Sequence, residues 1–157
     1  MRALTIALCL LATPALADVA GIATVIDGDT LEIHGQRIRF HGIDALENRQ
    51  LCRLDGKPWR CGKDAANALA EKIARRPVTC EDLGRDRYKR ILARCTVAGE
   101  DLEKWMVSQG WALAYRRYSL DYVDEEAEAQ AARRGIWASK FVPPWEWRQG
   151  KRLDTGD

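Results

Sequence analysis

The chain has 157 residues, 31% of them charged, and a formal net charge of +2 at pH 7. This length favours one domain around one hydrophobic core, and the near balance of charge excludes the strongly basic composition of a general nucleic-acid binder. Any contact with a polyanion must therefore come from local basic clusters. The candidates are Arg37 with Arg39, then Arg85, Arg87, Lys89 and Arg90, and finally Arg116 with Arg117.

The first residues have the pattern of a secretory signal peptide. Arg2 supplies a positive charge, residues 3–12 form an uncharged apolar run, and Ala15-Leu16-Ala17 is a small-x-small cleavage signal. The apolar run is too short for a membrane-spanning helix. We expect cleavage after Ala17, so that residues 1–17 are removed. Residues 18–157 then form the mature domain, which is periplasmic or secreted and has no membrane anchor.

The first half of the mature domain has the pattern of β-strands. Residues 21–26 are rich in strand-forming residues, Asp27-Gly28 is a turn dipeptide, and residues 31–33 begin the return strand. In residues 37–42 apolar side chains alternate with basic ones, which predicts a half-buried strand with a basic outer face.

A β-hairpin is predicted for residues 78–97, around a charged turn at residues 86–89. In this register Val78 faces Val97 and Cys80 faces Cys95. Opposed residues have Cα atoms about 4.5–5.5 Å apart, which a disulfide can span. Loss of Cys9 with the signal peptide leaves an even number of cysteines, which favours disulfides in an exported chain. Cys80 is therefore expected to pair with Cys95 and, by elimination, Cys52 with Cys61.

Three helices are predicted, at residues 64–75, 101–109 and 121–134. The first has apolar residues at helical spacing, the second ends at a glycine, and the third has acids first and bases last, which complements the helix dipole. About five strands, mostly antiparallel, with helices in the connections predict an α+β fold. We expect a five-stranded OB-fold-like β-barrel with three helices.

Three charged clusters carry the candidate chemistry. Residues 27–30 (Asp-Gly-Asp-Thr) place a carboxylate one step into a strand, where it can bind a hard cation. Arg39 is followed by Asp44 and Glu47 in the loop after its strand. Residues 86–90 (Asp-Arg-Tyr-Lys-Arg) form the hairpin tip. Each cluster alone is equally typical of an ordinary turn or a surface ion-pair set.

Taken together, these clusters resemble the staphylococcal nuclease family in order and spacing. The resemblance covers nearly all of residues 20–137, and its matching stretches are residues 25–30, 37–47, 86–90, 109–112 and 135–137. The catalytic residues of the family fall on Arg39, Glu47 and Arg90. Its calcium ligands fall on the carboxylates of Asp29 and Asp44 and the backbone carbonyl of Ala45, with the carboxylate of Asp27 behind them.

The resemblance implies a Ca²⁺-dependent nuclease that hydrolyses DNA and RNA with little sequence preference and leaves 3′-phosphates. Ca²⁺ prefers oxygen ligands, an arginine forms paired hydrogen bonds to phosphate oxygens, and a glutamate can deprotonate the attacking water. Contacts to the substrate are expected from Arg87 and Tyr88 and, by base stacking, from Tyr115 or Tyr118. For the two later tyrosines, core packing is an equally good interpretation. We expect a monomer.

Three positions depart from the family pattern. Leu46 stands where a proline is usual, which predicts a freer loop because proline fixes φ. Ala45 replaces the usual threonine and keeps the carbonyl ligand. Lys89 replaces a glycine in the hairpin tip, which predicts an altered turn around Arg90.

Two other functions were weighed against the nuclease. One is a non-catalytic OB-barrel that binds nucleic acid or another ligand, and the other is an exported structural module whose charges form surface ion pairs. Relatives that have lost activity usually lack catalytic residues, whereas the charged residues expected at the site are all present here. The sequence therefore favours the enzyme.

Overall fold

The computed structural model describes residues 18–153, and the predicted signal peptide, residues 1–17, lies outside the described residues. The strands are β1 (Val19–Ile22), β2 (Thr24–Asp27), β3 (Thr30–Ile33), β4 (Gln36–Phe40), β5 (Ile43–Ala45), β6 (Cys52–Leu54), β7 (Lys57–Trp59), β8 (Pro77–Arg85), β9 (Ile91–Val97), β10 (Glu100–Asp101) and β11 (Ala112–Ala114). The helices are α1 (Cys61–Ile73), α2 (Leu102–Ser108), α3 (Val123–Ala131) and α4 (Pro144–Arg148), with a 3₁₀ turn at Gly135–Ala138.

The main sheet is curled and rich in antiparallel pairs. Its strands run in the order β1-β8-β9-β4-β3-β2, β10 joins β9 at the side, and β4 and β9 pair in parallel. The predicted α+β class and OB-like barrel are confirmed. The strand count is larger than expected, because the predicted run 21–26 falls in two strands and several additional strands have only two or three residues.

The β8–β9 hairpin has the predicted register, with Val78 opposite Val97 and Cys80 opposite Cys95. The two cysteines form a disulfide with their Cα atoms 4.1 Å apart, and Cys52 and Cys61 form the second, with Cα atoms 5.7 Å apart. An irregularity between Asp82 and Gly84 shifts the register towards the tip.

The core lies between the curled sheet and the first two helices. Leu31, Ile38 and Phe40 from the sheet are fully buried against Leu69 of α1 and Met106 of α2. All three predicted helices form, with shifted ends: α1 begins at Cys61 instead of residue 64, and α3 spans only Val123–Ala131. Among residues 18–153, no helix is long and apolar enough to cross a membrane.

A second, smaller cluster joins the C-terminal segment to the first disulfide. Leu46 and the Cys52–Cys61 pair are buried in it with Leu113 and Ile136. Arg53 and Lys140 exchange backbone hydrogen bonds of 2.9 Å in both directions, and the buried Gln50 donates its side-chain amide to the carbonyl of Val142 at 2.5 Å. The C-terminal segment is thereby fixed against the loop that follows Glu47.

One buried carboxyl makes the stability of the fold depend on pH. Glu103 of α2 is fully buried, and both of its carboxylate oxygens accept a hydrogen bond from the backbone N–H of Cys95, at 3.0 and 3.1 Å. Burial raises the pKa of Glu103 well above its ordinary value, the hydrogen bond from Cys95 opposes this, and the nearby Asp101 adds to it. The folded protein therefore holds this proton to higher pH than the unfolded chain.

The stability that this proton confers is complete below the unfolded pKa, about 4.3, and is lost as the pH rises through the raised pKa of the folded state. We expect the free energy of unfolding of the wild type to fall relative to that of Glu103→Gln above pH 4, by at most about 1.4 kcal/mol per pH unit. Urea unfolding at pH 4 to 8 measures this. Glu71→Gln, on the exposed face of α1, is the control, and a difference between wild type and Glu103→Gln that stays constant with pH would contradict the expectation.

Candidate active site

Asp29 lies at the start of β3, where the β2–β3 turn packs against β5. A Cβ atom on Gly28 would lie 2.7 Å from the Cβ of Ala45, so only glycine permits this approach. The carboxylate of Asp29 is buried and accepts hydrogen bonds from the backbone N–H of Ala45 at 2.6 Å and the hydroxyl of Thr30 at 3.2 Å. The backbone N–H of Asp29 donates to Asp27 at 3.2 Å, which places Asp27 directly behind it.

Arg39 joins the two aspartates that the sequence assigned to the metal. It lies opposite Thr30 in the β3–β4 ladder, and its guanidinium donates one N–H to Asp29 and another to Oδ1 of Asp44, the latter at 2.6 Å. Burial works against the charge on Arg39, but the carboxylates of Asp29 and Asp44 outweigh it and raise its pKa. Burial also raises the pKa of Asp29 well above its usual range, although Arg39 opposes this.

Glu47 follows β5 in a loop that is held on three sides. Its backbone N–H donates to the side chain of Gln50 at 3.2 Å, and Leu46 before it is fully buried. A Cβ atom on Gly62, at the start of α1, would lie 1.8 Å from the carbonyl oxygen of Glu47, so the helix and the loop touch. The side chain of Leu46, at the position where the resemblance implies a proline, packs in the second cluster, and the freer loop expected there stays a prediction.

Arg148 is a member of this group that sequence reasoning missed. Its guanidinium donates to both carboxylate oxygens of Asp44, at 3.1 and 2.6 Å, and to Glu47 at 2.7 Å. The carboxylates of Asp44 and Glu47 raise the pKa of Arg148 against the effect of burial. Because Arg148 lies about a hundred residues beyond its partners, in an aromatic segment without polar periodicity, no local pattern marked it.

Arg90 lies at the hairpin tip. It forms no hydrogen bond to the carboxylates of Asp29, Asp44 or Glu47. Its Nε donates to Asp86 at 2.8 Å. Arg90 directly precedes Ile91, the partner of Ile38 in the parallel β4–β9 pair, and therefore stands beside the strand that carries Arg39. Lys89 adopts a φ of 63°, in the left-handed region that favours glycine.

The candidate substrate-contact residues lie in two places. Tyr88 is exposed at the hairpin tip, and the guanidinium carbons of Arg87 and Arg90 lie 4.9 and 5.5 Å from its ring centroid. Tyr115 is half-buried and stacks on Trp145 of the C-terminal segment, with ring centroids 5.7 Å apart. Tyr118 lies 5.2 Å from Tyr115 and is 61% exposed, so it is the more accessible of the two.

The donor chemistry of this group fits a hard divalent cation. Asp29 and Asp44 both accept a hydrogen bond from the guanidinium of Arg39. The backbone carbonyl of Ala45 directly follows Asp44 on β5. Among residues 18–153, no three acidic, histidine or cysteine side chains converge closely enough to form a metal cage. Ca²⁺ accepts six to eight oxygen ligands, including carbonyls and waters, so two carboxylates and one carbonyl are a reasonable protein share.

Comparisons with known proteins agree with the resemblance seen in the sequence. Residues 37–139 match the family described as staphylococcal nuclease homologue. The chain is 40% identical over 127 residues to the succinoglycan biosynthesis protein ExoI of Rhizobium meliloti (strain 1021), covering 78% of this chain and 66% of that protein. It is 35% identical to an uncharacterized endonuclease of Escherichia coli, covering 86% and 88%, and 33% identical to protein ParB of Escherichia coli, covering 98% and 94%.

Proposed function

Because this chain belongs to the staphylococcal nuclease homologue family and is a nuclease, we propose that it hydrolyses DNA and RNA with a calcium ion held by Asp29, Asp44 and Ala45. The observation that supports the site most directly is the guanidinium of Arg39, which gathers Asp29 and Asp44 into one cluster. The loop that carries Glu47 is fixed beside that cluster by Gly62 and Gln50.

The proposed reaction is attack of water on the phosphorus, with departure of the 5′-oxygen. Glu47 takes a proton from the water as its oxygen bonds to phosphorus. Arg39 and Arg90 donate hydrogen bonds to phosphate oxygens, whose negative charge grows in the transition state. Calcium, when bound, supplies further positive charge to those oxygens. The products are a 3′-phosphate and a 5′-hydroxyl: the leaving 5′-oxygen takes a proton from solvent water, and Glu47 returns its proton to solvent afterwards.

Contacts to the rest of the substrate are proposed at the two aromatic positions. Arg87 and Tyr88 at the hairpin tip lie within reach of a neighbouring phosphate or sugar beside Arg90. Tyr118, supported by Tyr115, offers an exposed ring on which any base can stack. One contact is to the sugar-phosphate backbone and the other is to the flat face of a base. Neither differs much between bases, which agrees with little sequence preference.

We further propose that residues 18–157 form the mature, monomeric domain and act in the periplasm or the medium. The two disulfides support export, because such bonds persist in oxidising compartments. The calcium that the site needs is available there.

Removal of calcium is the test of the proposed function. We expect purified protein to degrade a labelled oligonucleotide in calcium, and EGTA with excess magnesium to lower the rate by about 10³-fold, because a bound cation supplies several kcal/mol of charge stabilisation. Added calcium should restore the rate. An oligonucleotide that is bound but left intact in calcium would instead favour the non-catalytic binding module.

A further inference from the structure

Arg148 occupies the carboxylates that the proposed function assigns to the cation and the water. It forms a two-pronged pair with Asp44 and a single hydrogen bond to Glu47. It lies outside residues 37–139, the stretch that matches the family. The C-terminal segment of this chain thereby adds an arginine to the carboxylate cluster.

The hydrogen bonds leave little room for a cation on Asp44. A carboxylate offers about four lone-pair positions. On Asp44, Oδ1 accepts from Arg39 and Arg148, and Oδ2 accepts from Arg148. One position remains on Oδ2, beside a guanidinium whose positive charge repels a cation. Release of Arg148 would free all of Oδ2.

Arg148 is also the more easily released of the two arginines. Its side chain is 40% exposed, compared with 15% for Arg39. It ends the five-residue helix α4, whereas Arg39 lies inside the main sheet. The backbone of α4 is held in place, because Trp145 stacks on Tyr115 and packs against the second cluster, so release needs only a change in the side chain of Arg148.

We infer that Arg148 competes with the divalent cation for Asp44, holding the carboxylates together until the cation displaces its side chain. This inference rests on the proposed calcium site. Without a cation, Arg148 offsets the repulsion among Asp29, Asp44 and Glu47. With a cation bound, that charge is supplied by the metal, and Arg148 is free to keep only its hydrogen bond to Glu47 or to turn towards the substrate.

Calorimetric titration with calcium alone, in the absence of nucleic acid, tests the inference. We expect Arg148→Gln to bind calcium more tightly than wild type, by about 5- to 150-fold, the usual range for two groups coupled through one site. Arg148→Lys keeps the positive charge but loses the planar guanidinium, so its calcium affinity should lie between those of wild type and Arg148→Gln. Lys151→Gln removes a nearby positive charge that pairs with Glu146 and should leave the affinity unchanged.

Three results would overturn the inference in distinguishable ways. Equal calcium affinity of wild type and Arg148→Gln would refute the competition but would still agree with the proposed calcium site. Weaker binding by the variant makes Arg148 a support of the site. No calcium binding by either protein removes the proposed calcium site and the inference together. Melting temperatures confirm folding, and Arg148→Lys carries the test if Arg148→Gln does not fold.

Discussion

Arg39→Lys is expected to lower kcat by about 10²–10³-fold, the usual cost of removing one donor that stabilises transition-state charge. The guanidinium of Arg39 donates to Asp29 and Asp44 at once. Lysine keeps the positive charge between these buried carboxylates, but its ammonium cannot reproduce the planar fork. Initial rates on a labelled oligonucleotide at saturating calcium measure the effect.

Arg37→Lys is the matched control, because Arg37 lies on the same strand and is exposed. It should keep nearly full activity. Arg39→Ala is a poorer probe, since removing one partner of a buried ion pair typically costs about 3–5 kcal/mol of stability. An Arg39→Lys protein that melts like wild type and also turns over like wild type would show that Arg39 only holds the fold.

Glu47→Gln should lower kcat by about 10²–10⁴-fold, the usual contribution of a general base. The amide oxygen of glutamine can still accept from Arg148, and the backbone bond to Gln50 is unaffected. The change therefore removes the proton acceptor with little disturbance of the loop. Single-turnover rates report the chemical step apart from product release.

Glu71→Gln, an exposed neutralisation on α1, should leave the rate unchanged. Undiminished turnover by Glu47→Gln would refute its role as the base, and another group would have to accept the proton.

Local pattern was enough to predict the parts of the fold whose partners lie close in sequence. The hairpin register follows from the charged turn, and that register places Cys80 against Cys95. Arg39 and Asp44 are separated by one strand end, so their meeting could also be anticipated. The helices were predicted from their apolar spacing, although their ends shifted by one to three residues.

Features built on long-range contacts could not be predicted. The parallel β4–β9 pair joins distant strands, and β6, β7 and β11 are too short to show an alternating pattern. Helix α4 has five residues, and Arg148 on it has no spacing that relates it to Asp44. The burial of Leu46 could not be read from local pattern either, because it depends on Ile136 and the first disulfide.

Two contacts limit how far this domain can be shortened at its C-terminal end. Arg53 and Lys140 exchange backbone hydrogen bonds, and the side-chain amide of Gln50 donates to the carbonyl of Val142. The family pattern stops at residue 139, just before these anchors. A protein that ended at residue 139 would keep the strands of the barrel but leave the amide of Gln50 without its acceptor in a buried position.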